Sequence, residues 1–164
     1  MADEALKQFY IQGLQALQTA AQKGSETAGA TLAAVTSPEL KQLVQQGTEQ
    51  AQRQANQVNE LLQKAGGQPG NRPNPIIEGI QAGAKQIQEA AKTSAIRDAG
   101  IIDSAQIALH YFIAAYGSLA AHAKVLGMND AAATLKQMVE EDKQFDQRYT
   151  DLAERTINPQ SSGS

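Results

Sequence analysis

The sequence contains no cysteine and no tryptophan, and aromatic residues make up only 4% of its 164 residues. The absence of cysteine excludes disulfides, thiol catalysis and cysteine-ligated zinc or iron–sulfur sites. Runs of β-branched and aromatic residues, which strands favour, are scarce. Alanine, glutamine and leucine, which are good helix formers, are abundant instead. The composition therefore predicts an all-α protein, and the length suits one domain with a real core.

Strong positive charge and long apolar runs are also missing. The formal net charge is -3, and lysine and arginine are scattered singly, so nucleic acids and anionic membranes lack their usual electrostatic attraction. No apolar run approaches the ~20 residues that a membrane span needs. The first residues, MADEALKQFYIQGLQ, are acidic and amphipathic and do not have the pattern of a signal peptide. We therefore expect a cytoplasmic protein with no membrane or nucleic-acid partner.

Apolar residues recur at helical spacing along most of the chain. Ser37-Pro38 is a typical helix start, because serine caps the helix and proline suits its first turn. Gly66-Gly67 and Gly127 are typical helix ends. We predict four long helices at about 3–21 (or 3–35), 38–65, 95–126 and 129–158, and a shorter one at 76–91. Residues 1–157 would form a single bundle and 158–164 a disordered tail.

Two of the predicted long helices share a short sequence. LKQLVQQ at 40–46 and LKQMVEE at 135–141 agree at four of seven positions. Chance between two glutamine-rich amphipathic helices is one explanation, and an internal repeat is the other. A repeat would make the chain two antiparallel hairpins joined by a long crossover, which is the connectivity of ferritin-like bundles.

Several segments resemble one known family. These are Ser37-Pro38-Glu39-Leu40-Lys41, the stretch from Asp98 to Gly127, and Glu140-Glu141-Asp142-Lys143. Together they are similar to the ferritin-like bacterial stress proteins of the YciF/YciE type. The resemblance implies a ferritin-like antiparallel four-helix bundle with a short extra helix in the crossover between helices two and three. It also implies a homodimer and a rubrerythrin-like di-metal centre inside the bundle.

The departures from the family pattern fall at its metal-binding positions. The family usually has Glu-His-Tyr-Glu where this chain has Leu109-His110-Tyr111-Phe112. It has glutamate in place of Ala21, and a His-Leu-Glu-Glu-Thr-like segment in place of 47–51. By this comparison the lost ligand positions are Ala21, Gly47, Leu109 and Phe112. The residual candidate ligands are Glu49, His110, Asp142 and Asp146.

These departures argue against a metal centre on physical grounds. Two divalent cations in a bundle interior need about four carboxylates, usually with histidines. Leu109 and Phe112 lie three residues apart and so share one helix face. We expect them to form apolar core, and we expect no metal or other cofactor.

Asp142 and His110 need separate predictions. Asp142 lies on the apolar stripe of the last helix, so we expect it to be buried with a partner, among Gln50, Arg53 and Gln54, or to have a raised pKa. His110 lies one step off its stripe, and we expect it to be hydrogen-bonded to a neighbour rather than to bind metal. Glu49 is expected to be exposed.

Three functional hypotheses follow. The first is a non-catalytic ferritin-like protein with a structural, interaction or stress-associated role, acting as a homodimer or with a protein partner. The second is a di-iron or di-manganese oxidoreductase, such as a ferroxidase or a peroxide-handling enzyme, with a rearranged ligand set. The third is a binding protein whose emptied site is a small apolar pocket. The first is preferred, since the ligand positions carry apolar residues.

Overall fold

The structure is a computed structural model in which residues 2–162 are described, and it is helical almost throughout. The helices are α1 (Ala2–Ala34), α2 (Pro38–Lys64), α3 (Pro75–Ala90), α4 (Ser94–Val125), α5 (Asn129–Leu152) and α6 (Asn158–Ser162). A π-helical segment, Ala153–Ile157, joins α5 to α6. The predicted all-α class is confirmed, and so are the four long helices and the shorter one before α4.

The four long helices form a bundle around two apolar clusters. α1 packs on α2 and α4, α5 packs on α4 and α2, and α3 lies against α4 and α1. One cluster joins the start of α1 to the end of α2, the end of α4 and the start of α5. The other joins the end of α1 to the start of α2, the start of α4 and the end of α5. Neighbouring helices are therefore antiparallel, and α3 lies in the crossover.

Local chemistry explains the helix ends. The Ser37 hydroxyl accepts a hydrogen bond from the Leu40 amide at 3.3 Å, and Pro38 follows it in the first turn of α2. Gly66 and Gly127, with φ of 81° and 72°, adopt the left-handed conformation after α2 and α4. Asn74 caps α3 by accepting a hydrogen bond from the Ile77 amide at 3.2 Å. The start at Ser37-Pro38 and the ends at Gly66 and Gly127 were predicted, because each depends on residues close together in the sequence, whereas the Asn74 cap was not.

The structure decides one open boundary and corrects another. α1 runs across Gly24 and Gly29 to Ala34, which is the longer of the two predicted extents. The tail predicted to be disordered from residue 158 is wrong for Asn158–Ser162, which form α6. Pro159 lies in the first turn of that helix, where its missing N–H costs nothing. The Ser161 hydroxyl donates to the Ala95 carbonyl at 3.0 Å, which fixes α6 on α4. Residues 163 and 164 lie outside the described residues.

No helix within residues 2–162 is both long enough and apolar enough to cross a bilayer.

Candidate functional site

A buried polar group separates the two apolar clusters at mid-height of the bundle. It consists of Gln50 and Gln54 on α2 and Asp142 on α5, which we call the middle layer. On α5, Met138 belongs to one apolar cluster and Phe145 to the other, and Asp142 lies between them. The layer therefore contains Asp142, one of the residual candidate ligands that the resemblance suggests.

Two carboxamides of α2 solvate the Asp142 carboxylate. Gln50 Nε2 donates to Asp142 Oδ1 at 3.0 Å, and Gln54 Nε2 donates to the same oxygen at 2.9 Å. Asp142 is only 1% exposed, and its Oδ2 has no hydrogen-bond partner among the described residues. Arg53, the third expected partner, is exposed. The prediction of a glutamine partner for Asp142 is confirmed for both glutamines.

Burial changes the acidity of this carboxyl group. Burial is the largest influence on the pKa of Asp142, which is raised from 3.8 to about 6. The hydrogen bonds from Gln54 and Gln50 lower the pKa, while the nearby Glu141 carboxylate raises it. Among residues 2–162, no lysine, arginine or histidine lies within ion-pairing distance of Asp142. The raised pKa that we expected is therefore also present, and it follows from burial without a cation.

Aromatic rings of α4 adjoin the middle layer. Phe112 stacks on Tyr116 with ring centroids 5.6 Å apart, and Tyr111 meets Phe112 edge-on at 5.1 Å. Burial raises the pKa of Tyr116, and the charge of Asp142 raises it further. The Tyr111 hydroxyl accepts a hydrogen bond from Asn74 Nδ2 at 2.7 Å. Tyr116 is therefore packed and stays protonated, while Tyr111 is held in place by Phe112 and Asn74.

Three of the four lost ligand positions belong to the apolar interior. Leu109 packs against one cluster and Phe112 against the other, and both are partly buried. A Cβ at Gly47 would lie 3.5 Å from the Phe145 ring and 3.5 Å from the Tyr149 hydroxyl. Ala21 differs, because it lines a surface cleft between α1 and α2. The apolar packing predicted for Leu109 and Phe112 is confirmed, but the two side chains lie at the edges of different clusters and neither is fully buried.

The residual candidate ligands do not form one group. His110 Nε2 lies 3.2 Å from Asp146 Oδ2, with 66% of the histidine side chain exposed. Asp146 also accepts a hydrogen bond from Gln106 at 3.0 Å. Glu49 is exposed, with Gln45 as its neighbour at 3.5 Å. His110 thus lies beside a neighbouring carboxylate, as expected, and the predicted exposure of Glu49 is confirmed.

No metal-binding constellation is apparent in the part of the chain that the structure describes. Within residues 2–162, no three histidine, aspartate or glutamate side chains converge so that they could hold a metal ion. Apart from Asp142, the middle layer offers carboxamides, which are neutral and weaker ligands than carboxylates.

Asp98 is a buried carboxylate that sequence reasoning missed as a functional group. It is 3% exposed and accepts hydrogen bonds from the Thr36 amide at 2.9 Å, the Thr36 hydroxyl at 2.7 Å and the Ser37 amide at 2.7 Å. It thereby ties the start of α4 to the turn between α1 and α2. The sequence did contain a signal for its burial. Ile101 and Ile102 follow Asp98 by three and four residues and therefore lie on the same helix face, which is apolar.

The helices and the middle layer define an all-α antiparallel bundle with a polar layer at mid-height. Residues 5–162 match the DUF892 family, described as a domain of unknown function, and the chain belongs to that family. It is 42% identical over 82 residues to protein YciF of Escherichia coli strain K12. That match covers 50% of this chain and 49% of YciF, so it spans about half the length of the curated relative.

Solved structures extend the similarity to nearly the whole chain. The crystal structure of the E. coli stress protein YciF has a TM-score of 0.86 at 27% identity, covering 93% of this chain and 97% of YciF. YcfI of Rhodopseudomonas palustris, described as a candidate structural protein, has a TM-score of 0.84 at 26% identity, covering 88% and 92%. A Xanthomonas campestris protein, XCC3681, shares the fold with a TM-score of 0.68 at 16% identity, covering 91% of each chain. The resemblance to YciF-type proteins is confirmed.

Proposed function

We propose that this chain is a non-catalytic, metal-free member of the YciF type with a structural or interaction role. One observation carries the proposal: the interior carboxylate of Asp142 is solvated by the carboxamides of Gln50 and Gln54. A di-metal centre requires several interior carboxylates to balance the charge of its cations. One carboxylate with two amides does not fit such a centre.

The apolar neighbours of the middle layer support the same proposal. Leu109 and Phe112 fill space on α4, and each is continuous with one of the apolar clusters. Burying such side chains stabilises a fold by ~1.5–3 kcal/mol each when burial is complete. Apolar packing is therefore a sufficient reason for Leu109 and Phe112 at these positions, and no catalytic role is needed to explain them.

The rest of the proposal comes from the relatives. One structural relative is a stress protein and another a candidate structural protein, and both favour a stress-associated structural role. We further propose a ferritin-like homodimer, as the resemblance implies, that acts in the cytoplasm alone or with a protein partner. Nucleic acids and membranes are not proposed as partners, because the chain is acidic overall.

Elemental analysis of the native protein tests this proposal. The full chain, purified without chelators and then incubated with excess Fe²⁺ or Mn²⁺ and desalted, should hold far less than one metal ion per chain. Light scattering on the same sample should give the mass of two chains. About two iron or manganese ions per chain would instead support the di-metal oxidoreductase.

A matched pair of variants separates specific from adventitious metal. Asp142→Asn removes the interior carboxylate, while Asp151→Asn removes an exposed carboxylate from the same helix. The proposal requires equal, low metal content in both variants and in the wild type. Metal that is present in the wild type and lost only in Asp142→Asn would refute it.

A further inference from the structure

A polar cleft opens on the bundle surface, away from the middle layer. α1, α2 and residues 69–71 enclose it, with a volume of about 290 Å³. Five carboxamides line it, namely Gln18, Gln22, Gln52, Asn59 and Asn71. None of its eleven lining residues is charged, and none is aromatic.

Hydrogen bonds between distant parts of the chain fix the walls of this cleft. Gln18 Nε2 donates to Asn59 Oδ1 at 2.6 Å and joins α1 to α2. The Thr19 hydroxyl donates to the Arg72 carbonyl at 2.8 Å, and Gln15 Nε2 donates to the Gln68 carbonyl at 2.8 Å. The connection after α2 is thereby held against α1, and the cleft belongs to the folded architecture.

One acceptor in the cleft wall is left unsatisfied. Gln18 Oε1 is shielded from solvent and has no hydrogen-bond partner among the described residues. A buried acceptor without a donor costs free energy. Because this oxygen is out of reach of solvent, a ligand in the cleft would instead meet the exposed carboxamides of Gln22, Gln52 and Asn59.

We propose that this cleft binds a neutral polyhydroxylated small molecule, a sugar or a polyol. Each carboxamide offers both donors and an acceptor, which matches hydroxyl groups that also donate and accept. Ions gain little from an uncharged lining, and nucleobases find no ring on which to stack. The cleft volume of about 290 Å³ lies at the lower end of the ~300–1,000 Å³ range of small-ligand pockets, which suits a single sugar ring. This inference does not depend on whether the interior holds a metal.

An NMR titration of the full chain tests the inference. With ¹⁵N-labelled protein, adding D-glucose or myo-inositol should shift the side-chain amide signals of Gln18, Gln52 and Asn59 along saturating curves. Glucose 6-phosphate is the charged control, and it should bind no more tightly than glucose because the lining supplies no cation. Shifts that never saturate, or binding of the phosphate alone, would overturn the proposal.

Variants show whether the shifts arise in the cleft. Gln52→Ala removes an exposed lining carboxamide and should weaken binding by about three- to tenfold. Gln144→Ala, an exposed glutamine on α5, is the matched control and should bind like the wild type. Ala55→Leu narrows the cleft and should abolish binding, with circular dichroism as the check on folding. If Ala55→Leu fails to fold, equal binding by Gln52→Ala and Gln144→Ala refutes the assignment.

Discussion

Replacing Asp142 by asparagine should remove a large part of the pH dependence of stability. Burial raises the pKa of Asp142 from 3.8 to about 6 in the folded protein. Each pKa unit corresponds to ~1.4 kcal/mol, so keeping this group ionised above its folded pKa costs ~3 kcal/mol. Asparagine carries no charge and keeps an oxygen that can accept from Gln50 and Gln54, so this cost disappears in the variant.

The sign of the effect follows from proton binding. Between about pH 4 and pH 6 the folded protein holds a proton on Asp142 that the unfolded chain has released. The contribution of this group to stability is therefore most favourable below about pH 4. It declines as the pH rises through about 6 and is constant above that. In Asp142→Asn the amide nitrogen replaces Oδ2, which has no hydrogen-bond partner among the described residues. The new N–H donors would also lack a partner, and this cost in folding free energy does not vary with pH.

Urea denaturation followed by circular dichroism at several pH values measures this difference. The free energy of unfolding of Asp142→Asn, relative to wild type, should rise by ~3 kcal/mol between about pH 4 and pH 8. Asp151→Asn, an exposed change on the same helix, should follow the wild-type pH profile. A relative stability of Asp142→Asn that is constant across this range would show that the carboxyl group is not buried as described.

Other substitutions test separate parts of the structure. Gln54→Leu should raise the pKa of Asp142 above about 6, seen by NMR of its carboxyl carbon, since it removes a hydrogen bond that favours the ionised form; an unchanged pKa would contradict this. Asp98→Ala should lower the free energy of unfolding by ~2–4 kcal/mol, because the Thr36 and Ser37 amides lose their acceptor; Asp98→Asn should cost less. Gly67→Ala should destabilise by ~1–3 kcal/mol in urea denaturation, since its Cβ would overlap Leu62 Cδ1. Gly79→Ala, an exposed change within α3 that meets no atom within 4 Å, should instead stabilise by ~0.5–1 kcal/mol; equal effects of the two glycine changes would refute this packing.

Local signals in the sequence predicted most of the helices. The Ser37-Pro38 start and the ends at Gly66 and Gly127 depend on residues within one turn of each boundary, so they can be read without knowing the fold. The end of α1 could not be predicted in this way. Gly24 and Gly29 lower helix propensity, yet the helix continues across both, because a weak local preference does not by itself stop a long helix.

Long-range contacts explain what the sequence did not predict. Asp98 caps a turn 61 and 62 residues earlier, and only the folded chain brings these groups together. α6 depends on the contact of Ser161 with Ala95, 66 residues away. Asp142 was predicted to be buried because its own helix shows the apolar stripe. The choice of Gln50 and Gln54 over Arg53 required the position of α2.

The middle layer also limits how α2 can move along α5. Apolar contacts have no direction, so the clusters above and below would tolerate a small sliding of one helix past the other. The bonds of Gln50 and Gln54 to a single carboxylate oxygen would break on such a shift and leave a charge without solvation. Asp142 thus fixes the register between the hairpin of α1 and α2 and the hairpin of α4 and α5. Apolar side chains alone could not fix it.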